Sequence, residues 1–374
     1  MPFRAGKIGC DTFRSIDRAI RPVLLLGLMA ATVVACLAGG CGTASSSSSS
    51  STATTETITL FNVGVDGKTG FIDRAGALVI PAEYEDGLVF SEGLAGVEVD
   101  GKYGFIDQSG ELVIPAKYDY AQGFHEGLAQ IWVDCNPGSL DGKVGFIDRA
   151  GTIVIQAEYE DAHGFSEARA AVKVDGKWGF IDTTGAMVIS PQYCVVSQFR
   201  EGLAGVWNGA MGWVIDRTGA TVLPAEYENT LWFSAGLIAV RLDGKWGYAD
   251  KTGSVVIEPD YRETLGFSED LAVVQSVDWR WGYIDKTGQM VVPARFLGAL
   301  PFHENLAQVR VENYLWGFID PTRAMVIPAI YEETTRFYDG LAGVKVDGKW
   351  GLIDPAGNMV IQPQYDWVGV PWDW

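Results

Sequence analysis

Nine aspartates, Asp73, Asp107, Asp148, Asp182, Asp216, Asp250, Asp285, Asp320 and Asp354, recur at gaps of 34, 41, 34, 34, 34, 35, 35 and 34 residues. Carboxylates in such number could pair for acid–base work on a glycosidic bond, or gather around calcium. Their recurrence argues for another role. An Asp that opens a turn nine times has a local bond to make to backbone N–H groups ahead of it. Glu92, Glu126, Glu167, Glu201, Glu269 and Glu304 likewise each follow a repeated Phe by two residues, which suits loop amides. Neither set singles out a catalytic pair. His125 and His303 share one slot in distant units, His163 stands in another, and no His-x-x-x-His or Cys-x-x-Cys spacing exists. No metal and no cofactor are therefore expected. Phosphate loops and nucleophile elbows are also missing from the sequence.

The elements that carry these residues repeat as a unit. A fixed period in this range means a repeat architecture. In the unit around Asp107, Ala95, Val97 and Val99 alternate along a first strand, and Asp100-Gly101 suits a tight hairpin turn. Tyr103 to Ile106 return, Asp107 to Gly110 turn again, and Leu112 to Ile114 form a third strand that Pro115 is expected to end. From each Asp to an aromatic is always 11 residues (Tyr84 through Tyr365), and from that aromatic to the next Phe is always six. Length changes therefore fall in the first hairpin, most of all at residues 134–140. Segments of fixed length pack against neighbours, whereas variable tips face solvent. The expectation is an all-β chain of nine three-stranded β-meander units of ~34 residues, stacked as an open, curved or superhelical array. The alternative is a closed β-propeller-like ring. Three strands per unit, nine units and no terminal strand to complete a split unit favour the open form.

With Lys177 to Asp182 and Lys349 to Asp354 reading K-W-G-F/L-I-D, the chain resembles the WG (KWG) repeat proteins of bacteria over nearly all of residues 60–366. The resemblance implies a β-rich scaffold, often exported, with no general enzymatic activity. Thr69, Tyr103 and Val144 stand in the Trp slot of early copies, and Gly212-Trp213 is out of phase in the fifth, which implies a local distortion there.

The first 40 residues read as an export signal: Arg4, Lys7, Arg14, Arg18 and Arg21 precede an apolar run at 23–35. They resemble a bacterial lipoprotein signal, with Cys41 as the lipidated residue and Cys36 as the alternative; an uncleaved membrane anchor is a further alternative. Residues 41–58, rich in Ser and Thr, read as a flexible tether, and 59–374 as the repeat domain with a C-terminal cap from about 366. This implies attachment to the cell membrane on its extracytoplasmic face. The formal charge of −19 becomes −22 without residues 1–40, which disfavours nucleic acid as a partner. Cys135 and Cys194 occupy different unit positions and are not expected to pair.

Of 13 tryptophans, five fill the motif slot: Trp178, Trp246, Trp281, Trp316 and Trp350. Trp132, Trp207 and Trp279 fall in the variable first-hairpin region and Trp213 is displaced, so these four form the candidate binding edge. The competing reading makes them extra packing residues; on the first, Trp132→Ala and Trp279→Ala leave folding intact. The resulting expectation is a non-catalytic, surface-tethered scaffold for a protein or cell-wall glycan. A glycan-active enzyme with an acidic site and a passive spacer are the alternatives.

Overall fold

The computed structural model describes residues 59–370, except 137, 210 and 211. The signal, Cys36, Cys41, the tether up to 58, Trp372 and Trp374 lie outside the described residues. Every regular element described is a β-strand.

Blade 6 shows the unit. Asn229–Ser234, Leu237–Leu242, Lys245–Asp250 and Val255–Tyr261 pair antiparallel in that order. Here they are called the inner, second, third and outer strands. The second and third form the expected hairpin; in blade 2 its tip places Asp100 and Gly101 at φ of 51° and 72°, as a primed turn needs. The outer strand does not stop at its proline. Leu112–Tyr118 runs through Pro115 with a break in register against the third strand. An edge strand tolerates the missing donor, and a bulge there discourages pairing with other chains.

That register break explains the motif glycine. A Cβ on Gly104, Gly179, Gly247 or Gly351 would press into the backbone of the adjacent outer strand. No side chain fits where the two backbones approach so closely.

The segment from the aromatic to the next Phe, outside the three strands expected for each unit, forms a fourth strand, the inner one. Each pairs with the second strand of the following unit: Thr230 with Val240, Ala121 with Ile131. In blades 2 and 9 it contributes isolated bridges, Gly87 to Val97 and Thr334 to Val344. The constant six-residue spacing is thus set by a half-buried strand crossing from one blade to the next.

The ring is closed, which corrects the open stack. Residues 366–370 do not cap the last unit; they supply the inner strand of blade 1. Val63 bridges Val368, Gly64 N donates to Trp367 O at 3.0 Å, and Gly369 N donates to Asn62 O at 2.9 Å. Phe61, Val63 and Ile72 of blade 1 share one core with Leu352, Ile361 and Tyr365 of blade 9 and with Val368 and Val370 of the tail. Closure removes two exposed ends that an open array must cover.

Aromatic pairs join the blades. The Phe or Tyr after the motif glycine meets the Phe of the next inner strand edge-to-face, as in Phe105–Phe124 and Tyr248–Phe267, with centroids 5.0 and 4.9 Å apart. Such pairs contribute ~0.5–1.5 kcal/mol beyond burial. Seven blade junctions carry one. Val214 and Leu352 stand in the slot at the junctions of blades 5 with 6 and 9 with 1.

Candidate binding face

Antiparallel order puts the inner-to-second and third-to-outer turns on one face of the ring. The hairpin tips and the outer-to-inner crossings lie on the other.

The turn face uses its carboxylates internally. Asp182 Oδ1 accepts from Thr184 N at 2.9 Å, Ala186 N at 3.1 Å and the Thr184 hydroxyl at 2.6 Å. Equivalent bonds form at Asp107, Asp216, Asp250 and Asp285. Hydrogen bonds from Ser109, Thr184, Thr218, Thr252, Thr287, Thr322 and Asn358 hold the carboxyls of Asp107, Asp182, Asp216, Asp250, Asp285, Asp320 and Asp354 below the usual range.

The glutamates reach further. Glu92 accepts from Gly127 N at 3.0 Å, Glu167 from Gly202 N at 2.8 Å, Glu201 from Gly236 N at 3.1 Å and Glu304 from Gly340 N at 2.9 Å. Each bond runs to the same turn of the next blade. Basic residues strengthen two of these clamps, Arg217 on Glu167 at 2.8 Å and Lys251 on Glu201 at 3.0 Å. A shallow depression lined by Ser91, Glu92, His125, Glu126, Ser166 and Gln198 lies among them. Its two carboxylates are taken by backbone N–H groups of neighbouring blades. His163 lies against the Trp178 ring, 4.6 Å between centroids. Among the described residues no three His, Cys, Asp or Glu side chains converge as metal ligands would.

The four candidate tryptophans lie at or beside the hairpin tips. Trp132 is only 4% exposed and packs edge-to-face on Tyr120 at 5.3 Å, so it offers no binding edge. Its strand partner is Val144, the residue in the motif-Trp slot, and the indole fills the space that a motif Trp would occupy. Trp207 repeats the device. It pairs with Gly212, the empty Trp slot of blade 5, and a Cβ on Gly212 would overlap its ring. In blade 1, where Thr69 holds the slot, Trp367 of the tail lies over Gly64, the partner of Thr69. Trp213 is half-buried and meets Tyr193 at 5.8 Å. The pairing of blade 5 with its outer strand has the same register breaks as its neighbours, so the distortion expected there does not extend to the strand order.

Trp279 differs from the other three. It is 62% exposed, stands on a hairpin tip of blade 7 and has φ of 62°. The Arg262 guanidinium carbon lies 3.4 Å from its ring centroid. Blade 8 builds the same object from Tyr314, 64% exposed with φ of 64° and with Arg310 at 5.4 Å from the ring. Both tips are five-residue turns: Trp279 N donates to Ser276 O, and Tyr314 N to Val311 O. The left-handed position that follows such a turn favours glycine, and a bulky residue there costs ~1–2 kcal/mol. Arg280 and Glu312, 2.8 Å apart, tie the two tips together. A search for tryptophan alone misses Tyr314. The signal that could find it is position: Tyr314 precedes Trp316 by two, as Trp279 precedes Trp281, and both units are one residue longer than the common period.

Cys135 lies half-buried in the blade 3 insertion as a free thiol, its backbone N–H bonded to Asp119.

A closed ring of nine antiparallel blades is a repeat β-propeller. The profile described as WG containing repeat matches nine segments, residues 70–103, 103–131, 145–178, 178–206, 214–246, 246–276, 281–314, 316–350 and 350–371. The chain belongs to that family. No curated protein sequence matches it significantly. Among solved structures it is similar to one described as the crystal structure of the eukaryotic initiation factor. The identity is 12%, the TM-score 0.59, and the match covers 83% of this chain and 96% of that one. A second likeness, to BamB from Moraxella catarrhalis, has 12% identity and a TM-score of 0.42 over 69% of this chain and 95% of that one. At such identity the first likeness speaks for the fold alone.

Proposed function

We propose that this propeller is a non-catalytic binding scaffold, held by an N-terminal lipid on Cys41 at the extracytoplasmic face of the membrane, and that it presents its hairpin-tip face to a protein or glycan. The observation that carries the reading is the exposed, strained pair of tips at Trp279 and Tyr314. Two large, exposed aromatic residues held in a conformation that favours glycine cost the fold backbone strain, and strain of this kind clusters at functional positions. The non-catalytic part rests on the carboxylates, whose recurring members are engaged with backbone N–H groups in turns or across blades. The anchoring part rests on the sequence of residues 1–58.

The test is retention of a ligand by the full-length protein, extracted in mild detergent, on protein and glycan arrays. Specific retention that Trp279→Gly weakens is the expected result. Retention of nothing specific, or turnover of a polysaccharide, would remove the proposal.

A further inference from the structure

We infer that the tips of blades 7 and 8 bind an acidic polysaccharide, with pyranose rings laid on Trp279 and Tyr314 and uronate carboxylates on the arginines beside them. The inference rests on the binding-scaffold reading above and names its ligand class.

Three observations converge on it. The first is shape. Both aromatic rings stand on convex loop tips, each more than 60% exposed. An anchoring peptide side chain needs a pocket to fill. A sugar ring needs only a flat apolar plate for its C–H face, and an exposed indole or phenol supplies one. Val277, also on the blade 7 tip and 59% exposed, widens the apolar surface.

The second is rigidity. Arg262 stacks on Trp279 and Arg310 lies beside Tyr314, where Arg310 Nε also donates to Tyr314 O at 2.9 Å. Each ring is thus backed on one side by a guanidinium of its own blade. Because two neighbouring blades build this arrangement independently, the pair offers consecutive platforms to a polymer.

The third is charge. On a chain of formal charge −19, Arg262, Arg280, Arg295 and Arg310 all fall at the tip-side ends of blades 7 and 8. Arg280 is paired to Glu312. The others sit against rings: Arg262 on Trp279, Arg295 on Phe296 at 5.1 Å, Arg310 between Tyr314 and Trp316. A guanidinium over an aromatic face keeps N–H groups at its rim free to take a carboxylate. A polyphosphate backbone would need a continuous basic track, whereas Asp278, Glu263 and Glu312 interrupt this one. Widely spaced carboxylates on a polymer of flat rings match the pattern.

The experiment measures binding of the full-length protein in detergent micelles to polygalacturonate and, as the neutral control, dextran. Thermal melts of every variant report folding. The expected result is binding to polygalacturonate with none to dextran. Trp279→Gly with Tyr314→Gly weakens it at least tenfold without lowering the melting temperature, and Arg262→Gln weakens it and flattens its salt dependence. Trp232→Ala, on an inner strand, leaves it unchanged. Equal binding to dextran, or a double tip variant that binds as the wild type does, overturns the inference. If polygalacturonate is not bound while the arrays retain a protein at the same tips, the acidic-glycan inference fails and the scaffold reading survives. If neither is retained, both fail.

Discussion

Arg74 and Asp339 stand 265 residues apart in the chain, and Arg74 Nη1 lies 3.2 Å from the Asp339 carboxylate. The contact uses the same slots as Arg217 on Glu167 and Lys251 on Glu201. In each, an acid of one blade's inner turn meets a base in the next blade's outer turn. Blade 9 therefore treats blade 1 as its ordinary successor.

Closure depends far more on residues 366–370 than on this ion pair. Both partners are largely solvated, and exposed pairs of this kind contribute ~0–1 kcal/mol. Arg74→Ala is expected to leave the melting temperature almost unchanged. Truncation after Tyr365 removes Val368 and Val370 from a shared core and leaves the ladder of blade 1 unpaired. It should lower the melting temperature sharply and broaden the transition in circular dichroism. A truncated chain that melts like the intact one would show that the tail is dispensable.

The migrated tryptophans predict a rescue. Trp132→Ala opens a cavity in a closed core and is expected to cost ~3–5 kcal/mol by denaturant titration. Trp207→Gly should destabilise too. Adding Gly212→Trp to it restores the motif pattern on the opposite strand and should return most of the loss. Gly212→Trp in the wild-type background, with Trp207 still in place, forces two indoles into one site and should destabilise by itself.

At the two strained tips the sign reverses. Trp279→Gly or Tyr314→Gly relieves a left-handed bulky residue, so each variant should be as stable as the wild type or more stable, by up to ~1–2 kcal/mol. Clear destabilisation in chemical denaturation would show that these rings belong to the fold.

The turn aspartates set the response to acid. Hydrogen bonding depresses the folded-state pKa values of Asp107, Asp182, Asp216, Asp250, Asp285, Asp320 and Asp354, so their stabilisation is complete above the unfolded value of ~3.9 and is lost as pH falls through the folded values. Melting temperatures are expected to hold from neutrality to about pH 5 and to drop below about pH 4. Replacing Asp182, Asp250 and Asp285 by Asn together keeps an acceptor oxygen and should flatten that drop.

Much of this architecture is legible in the order of residues. The Asp turns, the Asp-Gly tips and the two constant spacings follow from local rules, and the folded chain agrees with each. What stays hidden depends on cross-strand partners. Trp132 is core because Val144 faces it, and Trp207 because Gly212 does; chain order places those residues 12 and 5 positions away with no mark of adjacency. Closure is hidden for a related reason. The tail carries Pro371 where other inner strands have their Phe, so it does not read as an inner strand. The exposed site is half visible, in Trp279 but not in Tyr314 or the arginines behind both rings.

The inner strand of blade 1 leaves the ribosome after every other strand of the ring. Until residues 366–370 emerge, Phe61, Val63 and the Asn62 side chain, which bonds Gly87 O at 2.7 Å in the finished ring, have no covering strand. Eight blades can assemble from contiguous sequence, but the first must wait for the far end of the ring. A message cut short, or a nonsense change anywhere upstream, therefore yields a chain whose oldest part is its unfinished part. Such a product leaves the apolar edge of Phe61 and Val63 uncovered, so the last strand to be made is the one that finishes the first blade.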